Sequence, residues 1–245
     1  MVHVIKVDLH IHTGDDPRDR IPYSTTQLIA CAAAQGFGAV AITLHERQLS
    51  LDDVQPFAAD RGVVLIPGIE RTIEGKHVLL INFSAATERV RTFADLARLK
   101  ASESGLVIAP HPFYPTPACL WGALDRHADL FDAVEYNAMF LRDLNFNDRA
   151  VAWARAHGKP LVGNGDVHRL RQLGTTYSLV DAAPDADAIC AAVAAGRVRV
   201  EATPISWRDA ASIMTDLLAW RLTAGPRAAT KPASDSTNSS QPESA

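Results

Sequence analysis

Apolar residues fall along this chain in short continuous runs separated by alanine-rich stretches. Seven such runs, at residues 4–9, 39–43, 63–67, 78–83, 106–109, 133–136 and 161–162, predict buried strands. Continuous rather than alternating apolarity means that both faces of a strand are covered, as in a parallel sheet with helices outside. Helix punctuation lies between them. Ser24-Thr25-Thr26-Gln27 is a capping box that opens a helix, and Gly36 closes it. Asn147 is expected to cap a helix that ends at Gly158, with Pro160 as a stop. Pro184-Asp185 opens another, closed by Gly196, and Ser206 opens a last one running to about Leu222. From Thr223 the composition shifts to Ala, Pro, Ser, Thr and Asn. Such a segment buries too little apolar surface to offset its ordering entropy, so residues 223–245 are expected to be a disordered tail. Residues 1–222 suit one α/β barrel domain.

The polar residues cluster where these runs stop. The first ends in Asp8-Leu9-His10-Ile11-His12 and the second in Thr43-Leu44-His45. Later ones end in Gly68-Ile69-Glu70, in Pro110-His111-Pro112, in Glu135-Tyr136-Asn137 and in Gly165-Asp166-Val167-His168. In a parallel α/β barrel the C-terminal strand ends share one face, where active sites are built. Strand alternation turns His10 and His12 to the same side, and likewise Asp166 and His168. One histidine at a strand end is ordinarily a hydrogen-bonded structural residue. Two imidazoles facing one barrel interior need partners or a metal. Imidazole and carboxylate donors without thiolate suit Zn, Fe or Mn. His77 opens its run, at the wrong end for a parallel strand. The tight turn Glu74-Gly75-Lys76 instead predicts a hairpin that returns His77 towards Glu70. Asp8 is expected to orient a ligand histidine. Glu135 and Asn137 stand open between such a role and a structural one. His3, His127 and His157 read as structural.

Composition narrows the partners. The chain has 245 residues, 47% of them hydrophobic, and a net charge of -4. No basic footprint marks a duplex-binding surface, so bulk nucleic-acid binding is not expected. The three cysteines, Cys31, Cys119 and Cys190, form no CxxC pair and read as reduced, buried thiols. The start lacks a signal-peptide pattern, and no apolar run approaches the roughly 18 residues of a membrane span. A cytoplasmic, membrane-free protein of unspecified oligomeric state is expected.

Taken together, Asp8-Leu9-His10-Ile11-His12-Thr13, Ile42-Thr43-Leu44-His45, Gly68-Ile69-Glu70 with His111-Pro112, and Gly165-Asp166-Val167-His168 resemble the four motif regions of one family. It is the PHP (polymerase and histidinol phosphatase) superfamily of metal-dependent phosphoesterases, and the likeness covers residues 4 to about 180. The resemblance implies a distorted (β/α)7 TIM-like barrel of PHP type, with two or three divalent transition metals (Mn, Zn or Fe). It implies hydrolysis of a small phosphorylated substrate by a metal-bridging hydroxide. It gives one metal to His10, His12, Glu70 and Asp166, and a second to Glu70, His77 and His111. A third would take His45, His168 and an acid after the first motif. Glu70, Asp166 and His111 would be the catalytic residues.

Two departures stand out. Leu44 occupies a position where the family usually has Asp, which reads as a lost supporting contact. The loop 14–20 offers Asp15, Asp16 and Asp19 as the acid, and Asp15 or Asp16 is favoured as nearest to His12. Arg18, Arg20, Arg142, Arg169 and Arg171 flank the expected mouth. The first four are candidate substrate contacts, Arg169 above all because it follows His168. Two rival readings are an amidohydrolase-type metal hydrolase, which also begins with His-x-His, and a non-catalytic metal-binding PHP module. The former usually uses a strand-borne Lys or Glu and a late lone Asp, a pattern that His45 and Asp166-x-His168 fit poorly.

Overall fold

Each of the seven apolar runs forms a strand in the computed structural model, which describes residues 3–213 and 215. They are β1 (Val4–Ile11), β2 (Ala39–Ile42), β3 (Val64–Ile73), β4 (Lys76–Ile81), β5 (Leu106–Ala109), β6 (Ala133–Asn137) and β7 (Leu161–Asn164). Two more follow, β8 (Thr176–Asp181) and β9 (Val198–Ala202). All nine share one sheet in the order β7-β6-β5-β4-β3-β2-β1-β8-β9. The sheet is mixed. β1, β2 and β3 run parallel, as do β5, β6 and β7, whereas β4, β8 and β9 are antiparallel to their neighbours. The α/β class therefore holds, but the sevenfold parallel repeat is replaced by nine strands. β8 and β9 escape a search for apolar runs because they alternate. In β8 the buried positions are Thr176, Ser178 and Val180, two of them hydroxyl residues.

Those hydroxyl positions help to bring the sheet ends together. The Gly163 amide of β7 donates to Ser178 Oγ at 2.8 Å, and that hydroxyl returns a bond to the Gly163 carbonyl at 3.1 Å. A Cβ at Gly163 would lie 2.6 Å from the Tyr177 carbonyl oxygen, so the close approach requires glycine. Beyond β7, Val167 pairs with β1: its amide donates to His10 O at 3.3 Å and its carbonyl accepts from His12 N at 3.2 Å. The sheet thus curls into a nearly closed barrel, with the strand-end residues gathered at one rim.

Inside, Leu9, Ala41, Ile66, Leu79, Ile108, Ala133 and Val162 form a core that also includes Ile189 and Val193 of α6 (Ala186–Ala194). α6 lies at the end opposite the histidines, where Asn82 donates to Asp187 at 2.6 Å. α1 (Thr25–Ala34) starts at the capping box of Ser24 and Gln27 and is followed by left-handed Gly36. α2 (Gln55–Ala59), α3 (Phe93–Ser102) and α4 (Gly122–Arg126) join the other crossovers. α5 (Asn147–His157) ends at left-handed Gly158 as expected, but Asn147 does not cap it. Its side chain instead accepts from Asn137 N and donates to Asn137 O, both at 2.9 Å, pinning the helix start to the end of β6. Ser206 Oγ accepts from Asp209 N at 3.1 Å and opens a final helix. Its extension towards Leu222 and the expected tail at 223–245 lie outside the described residues. Cys119 and Cys190 are buried free thiols, whereas Cys31 is only half-buried. Among the described residues no helix is long and apolar enough to cross a membrane.

Candidate metal centre

Four donor atoms meet at the floor of the rim. His10 Nε2 and His12 Nε2 lie 3.4 and 3.3 Å from Glu70 Oε2, and 3.4 and 3.5 Å from Asp166 Oδ1. A tetrahedral metal with bonds of about 2.0–2.1 Å sets its ligand atoms about 3.3–3.4 Å apart. Both Nε2 atoms are buried and have no hydrogen-bond partner. A buried polar atom in a native protein is nearly always partnered. The donor chemistry, the spacing and the two orphaned nitrogens fit a metal ion here.

Glu70 extends the cluster. Its Oε2 also meets His45 Nε2 at 3.1 Å, while its Oε1 meets His77 Nδ1 at 2.6 Å and His111 Nε2 at 3.2 Å. The β3–β4 hairpin turning at Glu74-Gly75 brings His77 back alongside Glu70, as the turn residues predicted. On the other flank His168 Nε2 meets Asp19 Oδ2 at 2.9 Å, and that oxygen is 3.6 Å from His45 Nδ1. His111 (φ 28°) and Asp166 (φ 46°) both hold left-handed backbone without being glycine. Such local strain persists only where the surroundings enforce it. Next to Asp166, a Cβ on Gly165 would fall 2.6 Å from Asp8 Oδ2, so that turn is closed to larger residues.

A ring of acceptors orients the imidazoles. His10 Nδ1 lies 2.8 Å from Glu135 Oε1, and His12 Nδ1 lies 2.9 Å from Asp16 Oδ2. Asp16 Oδ2 also takes the His45 amide at 2.9 Å and faces His45 Nδ1 at 3.1 Å. Glu135 is fully buried and receives amides from Asn164 (3.0 Å), Asn137 (3.0 Å) and the His111 backbone (2.7 Å). Asn137 also donates to Asp166 Oδ2 at 3.2 Å. Charge follows this geometry. Burial opposes protonation of His10, but Asp166, Glu135 and Glu70 prevail and raise its pKa from 6.5 to about 10. Against the same opposition from burial, His12 is raised by Asp16, Asp166 and Glu70, and His111 by Cys119, Glu70 and Asp166. Burial works against ionisation of Glu70 and Asp166, yet the surrounding imidazoles hold both well below the usual carboxylate range.

Several expectations need correction. Asp15 does not face the cluster. It is exposed, accepts from Thr25 Oγ1 at 2.8 Å, and its carbonyl takes Arg47 Nη2. Asp16 lies behind the imidazoles and orients them. Its Oδ1 accepts the Arg18 and Asp19 amides at 2.8 and 2.9 Å, a tight turn that swings Asp19 to the rim. The acid facing His45 and His168 is therefore Asp19. Asp8 does not orient an imidazole. It accepts from the Gly165 and His10 backbone amides, and burial pushes its carboxyl up to about 7. Leu44 packs in an apolar cluster with Ile11 and Ile42, and Asp16 holds His45 instead. None of the four candidate arginines lines the cleft above the cluster. Arg20 and Arg142 are exposed, Arg18 pairs with Glu46 at 3.1 Å, and Arg169 donates to His168 O at 2.9 Å. That cleft, about 430 Å³, is walled instead by Tyr114, Thr116, Pro117, Cys119, Asn137 and Met139 beside the histidines and acids. Tyr114, Thr116 and Met139 had no signal in the sequence, because they stand in irregular loops. His127 and His157 stack on Phe93 and Trp153, away from the cluster, and His3 is exposed.

Residues 145–198 match the family described as PHP-associated. The fold is similar to that of a two-domain protein from Bacteroides vulgatus containing a predicted PHP-like metal-dependent phosphoesterase. The TM-score is 0.65 at 19% identity, over 88% of this chain and 70% of that one. The fold is also similar to those of PsfC from Pseudomonas syringae and of the lesion-specific endonuclease PfuEndoQ from Pyrococcus furiosus. For PsfC the TM-score is 0.62 at 19% identity, covering 90% of this chain and 100% of that one. For PfuEndoQ it is 0.54 at 16% identity, covering 86% and 66%. At such identities the likeness to these structures is one of fold. No curated protein matches the chain. The motif residues of the PHP resemblance, with Asp19 as the loop acid, are the ones that meet at the rim.

Proposed function

We propose that this protein is a PHP-type metal-dependent phosphoesterase that hydrolyses a small phosphate ester. The reading rests above all on Glu70, whose two carboxylate oxygens face two different sets of histidines. A first metal would be held by His10, His12, Glu70 and Asp166. A second would be held by Glu70, His77 and His111, and a third by Asp19, His45 and His168. Mixed nitrogen and oxygen donors favour Mn, Fe or Zn over Ca or Mg. Bound metals of this kind act as Lewis acids and bring the pKa of a coordinated water to about 7. The chain's own part is positional. Glu135 and Asp16 fix three imidazole rings, and Asn137 steadies Asp166. Among the described residues lining the cleft there is no Lys or Arg. The net charge of -4 and this lack of Lys and Arg favour a small ester over a long nucleic acid.

The test is a panel of p-nitrophenyl phosphate, bis-(p-nitrophenyl) phosphate, sugar phosphates and a cyclic amide, run with Mn, Zn or Fe supplied. Turnover of a phosphate ester that disappears on chelation is expected. Full metal occupancy without phosphoester turnover would favour a metal-binding scaffold, and turnover of the amide an amidohydrolase.

Metal loading is also expected to expel protons. In the metal-free protein the raised pKa of His10, about 10 against 6.5, means that the ring is protonated at neutral pH. A metal binds only the neutral ring, so binding at about pH 8 releases at least one proton, and affinity rises as pH approaches the raised value. Zn²⁺ added to metal-free protein in weakly buffered indicator dye reads this directly. Binding without acidification would show that the histidines are already neutral.

A further inference from the structure

Most imidazoles of the cluster rest their Nδ1 on oxygen. His10 uses Glu135 (2.8 Å), His12 and His45 use Asp16 (2.9 and 3.1 Å), and His168 uses the Asp166 carbonyl (2.9 Å). His77 turns its Nδ1 directly on Glu70 at 2.6 Å. His111 differs. Its Nε2 faces Glu70 Oε1 at 3.2 Å, and its Nδ1 lies 3.3 Å from the sulfur of Cys119. We infer that Cys119 is the positioning residue for the metal site formed by Glu70, His77 and His111, its sulfur accepting the Nδ1–H of His111.

A ligand imidazole must present a lone pair on one nitrogen, and the hydrogen bond made by the other nitrogen decides which. With Nδ1–H donated to sulfur, the Nε2 lone pair of His111 points at Glu70. In the other tautomer Nε2 carries the hydrogen and cannot ligate. The sulfur is itself held in place. Cys119 is buried, its amide donates to the Thr116 carbonyl at 3.2 Å, and the Thr116 hydroxyl lies 3.1 Å from Sγ. The loop that bears it is also tied to the other histidine of the same site. The His77 amide donates to Ala118 O at 2.8 Å, and Lys76 Nζ donates to Pro117 O at 2.8 Å. His77, His111 and Cys119 therefore form one mechanically linked unit, joined to Glu135, the carboxylate that orients His10, through the His111 backbone amide. Thiol sulfur is a weaker acceptor than a carboxylate. The ion held here is accordingly the more loosely set of the two that share Glu70.

This role rests on the metal-binding reading above, and the experiment separates the two. Full-length metal-free protein is titrated with Zn²⁺ against a chromophoric chelator, for wild type, Cys119→Ala and Cys119→Ser, with the metal-free melting temperature measured alongside. In wild type more than one ion binds. Cys119→Ala weakens one binding step by about 10–100-fold and leaves the others unchanged, the usual cost of losing an orienting partner. Cys119→Ser, which keeps an acceptor, restores most of that step, and the two variants melt alike without metal. Three results would overturn the role of Cys119: unchanged binding in Cys119→Ala, equal weakening in both variants, or a metal-free melting loss confined to Cys119→Ala. A wild type that binds no Zn²⁺ would instead overturn the metal reading, and the role of Cys119 with it.

Discussion

Glu70→Gln is expected to lower kcat on the best phosphate ester by about 10²-fold or more, a typical cost of removing one preorganised electrostatic element. The fold is expected to survive. Glutamine has nearly the same volume, and volume-conserving changes in a packed site are tolerated best. The chemistry is less forgiving. Oε1 of Glu70 faces His77 and His111, and Oε2 faces His10, His12 and His45. An amide supplies one acceptor and one donor group. Whichever way it turns, its NH₂ points at one set of imidazoles and away from any cation there. Its lost charge also leaves His10 and His12 with only Asp166 as an anionic neighbour at Nε2. Elemental analysis should show loss of at least one ion together with the fall in kcat. His127→Gln is the control, because that ring stacks on Phe93 at 3.9 Å and touches none of the cluster. If Glu70→Gln hydrolyses the ester as fast as wild type while fully metallated, the bridging role of Glu70 is wrong.

How far the site could be read from the chain depended on how each residue is placed. His10, His12, Glu70, His111, Asp166 and His168 stand at or just past the ends of apolar runs, and a barrel rim gathers strand ends whatever the connections do. His77 was legible because Glu74-Gly75-Lys76 announces a turn. β8 carries no apolar run, because Thr176 and Ser178 take its inward positions in place of branched apolar residues. The loop acid is hidden for a different reason. Closeness in sequence to His12 favoured Asp15 and Asp16, but loop geometry is decided by hydrogen bonds. Asp16 uses one oxygen to tie down the Arg18 and Asp19 amides, and the resulting turn carries Asp19 to the rim. The arginines were judged by the same closeness. Arg20 and Arg142 are exposed, Arg18 pairs with Glu46 and Arg169 donates to the His168 carbonyl, while the cleft is walled by Tyr114, Thr116, Pro117, Cys119 and Met139, which have no periodicity to reveal them.

The same turn makes Asp16 the most consequential acid of that loop after the ligands themselves. Asp16→Asn is expected to reduce kcat/KM by about 10²-fold, whereas Asp15→Asn should stay within about twofold of wild type. Losing the partner of one ligand histidine typically costs about 10–100-fold in metal affinity or activity. Asp16 partners two rings, with Oδ2 facing His12 Nδ1 at 2.9 Å and His45 Nδ1 at 3.1 Å while also accepting the His45 amide. Oδ1 is not free to become a donor, because it already accepts from the amides of Arg18 and Asp19. A carboxylate satisfies both sets, but an amide must turn its NH₂ towards donors on one side or the other. Two facing donors in a buried site leave both unsatisfied, at about 1–3 kcal/mol each. Either orientation injures the cluster: one releases His12 and His45, the other opens the turn that places Asp19 near His168. Burial alone would favour a neutral Asp16, yet the bonds from His12 and His45 hold it well below the usual carboxylate range, so it is ionised at working pH. Asp15 shares none of this. It is exposed, and among the described residues its side chain hydrogen-bonds to the Thr25 and Thr13 hydroxyls. Steady-state kinetics and metal analysis of the two variants, purified side by side, settle the matter. Equal behaviour of Asp15→Asn and Asp16→Asn would mean that the ring-orienting role assigned to Asp16 does not exist.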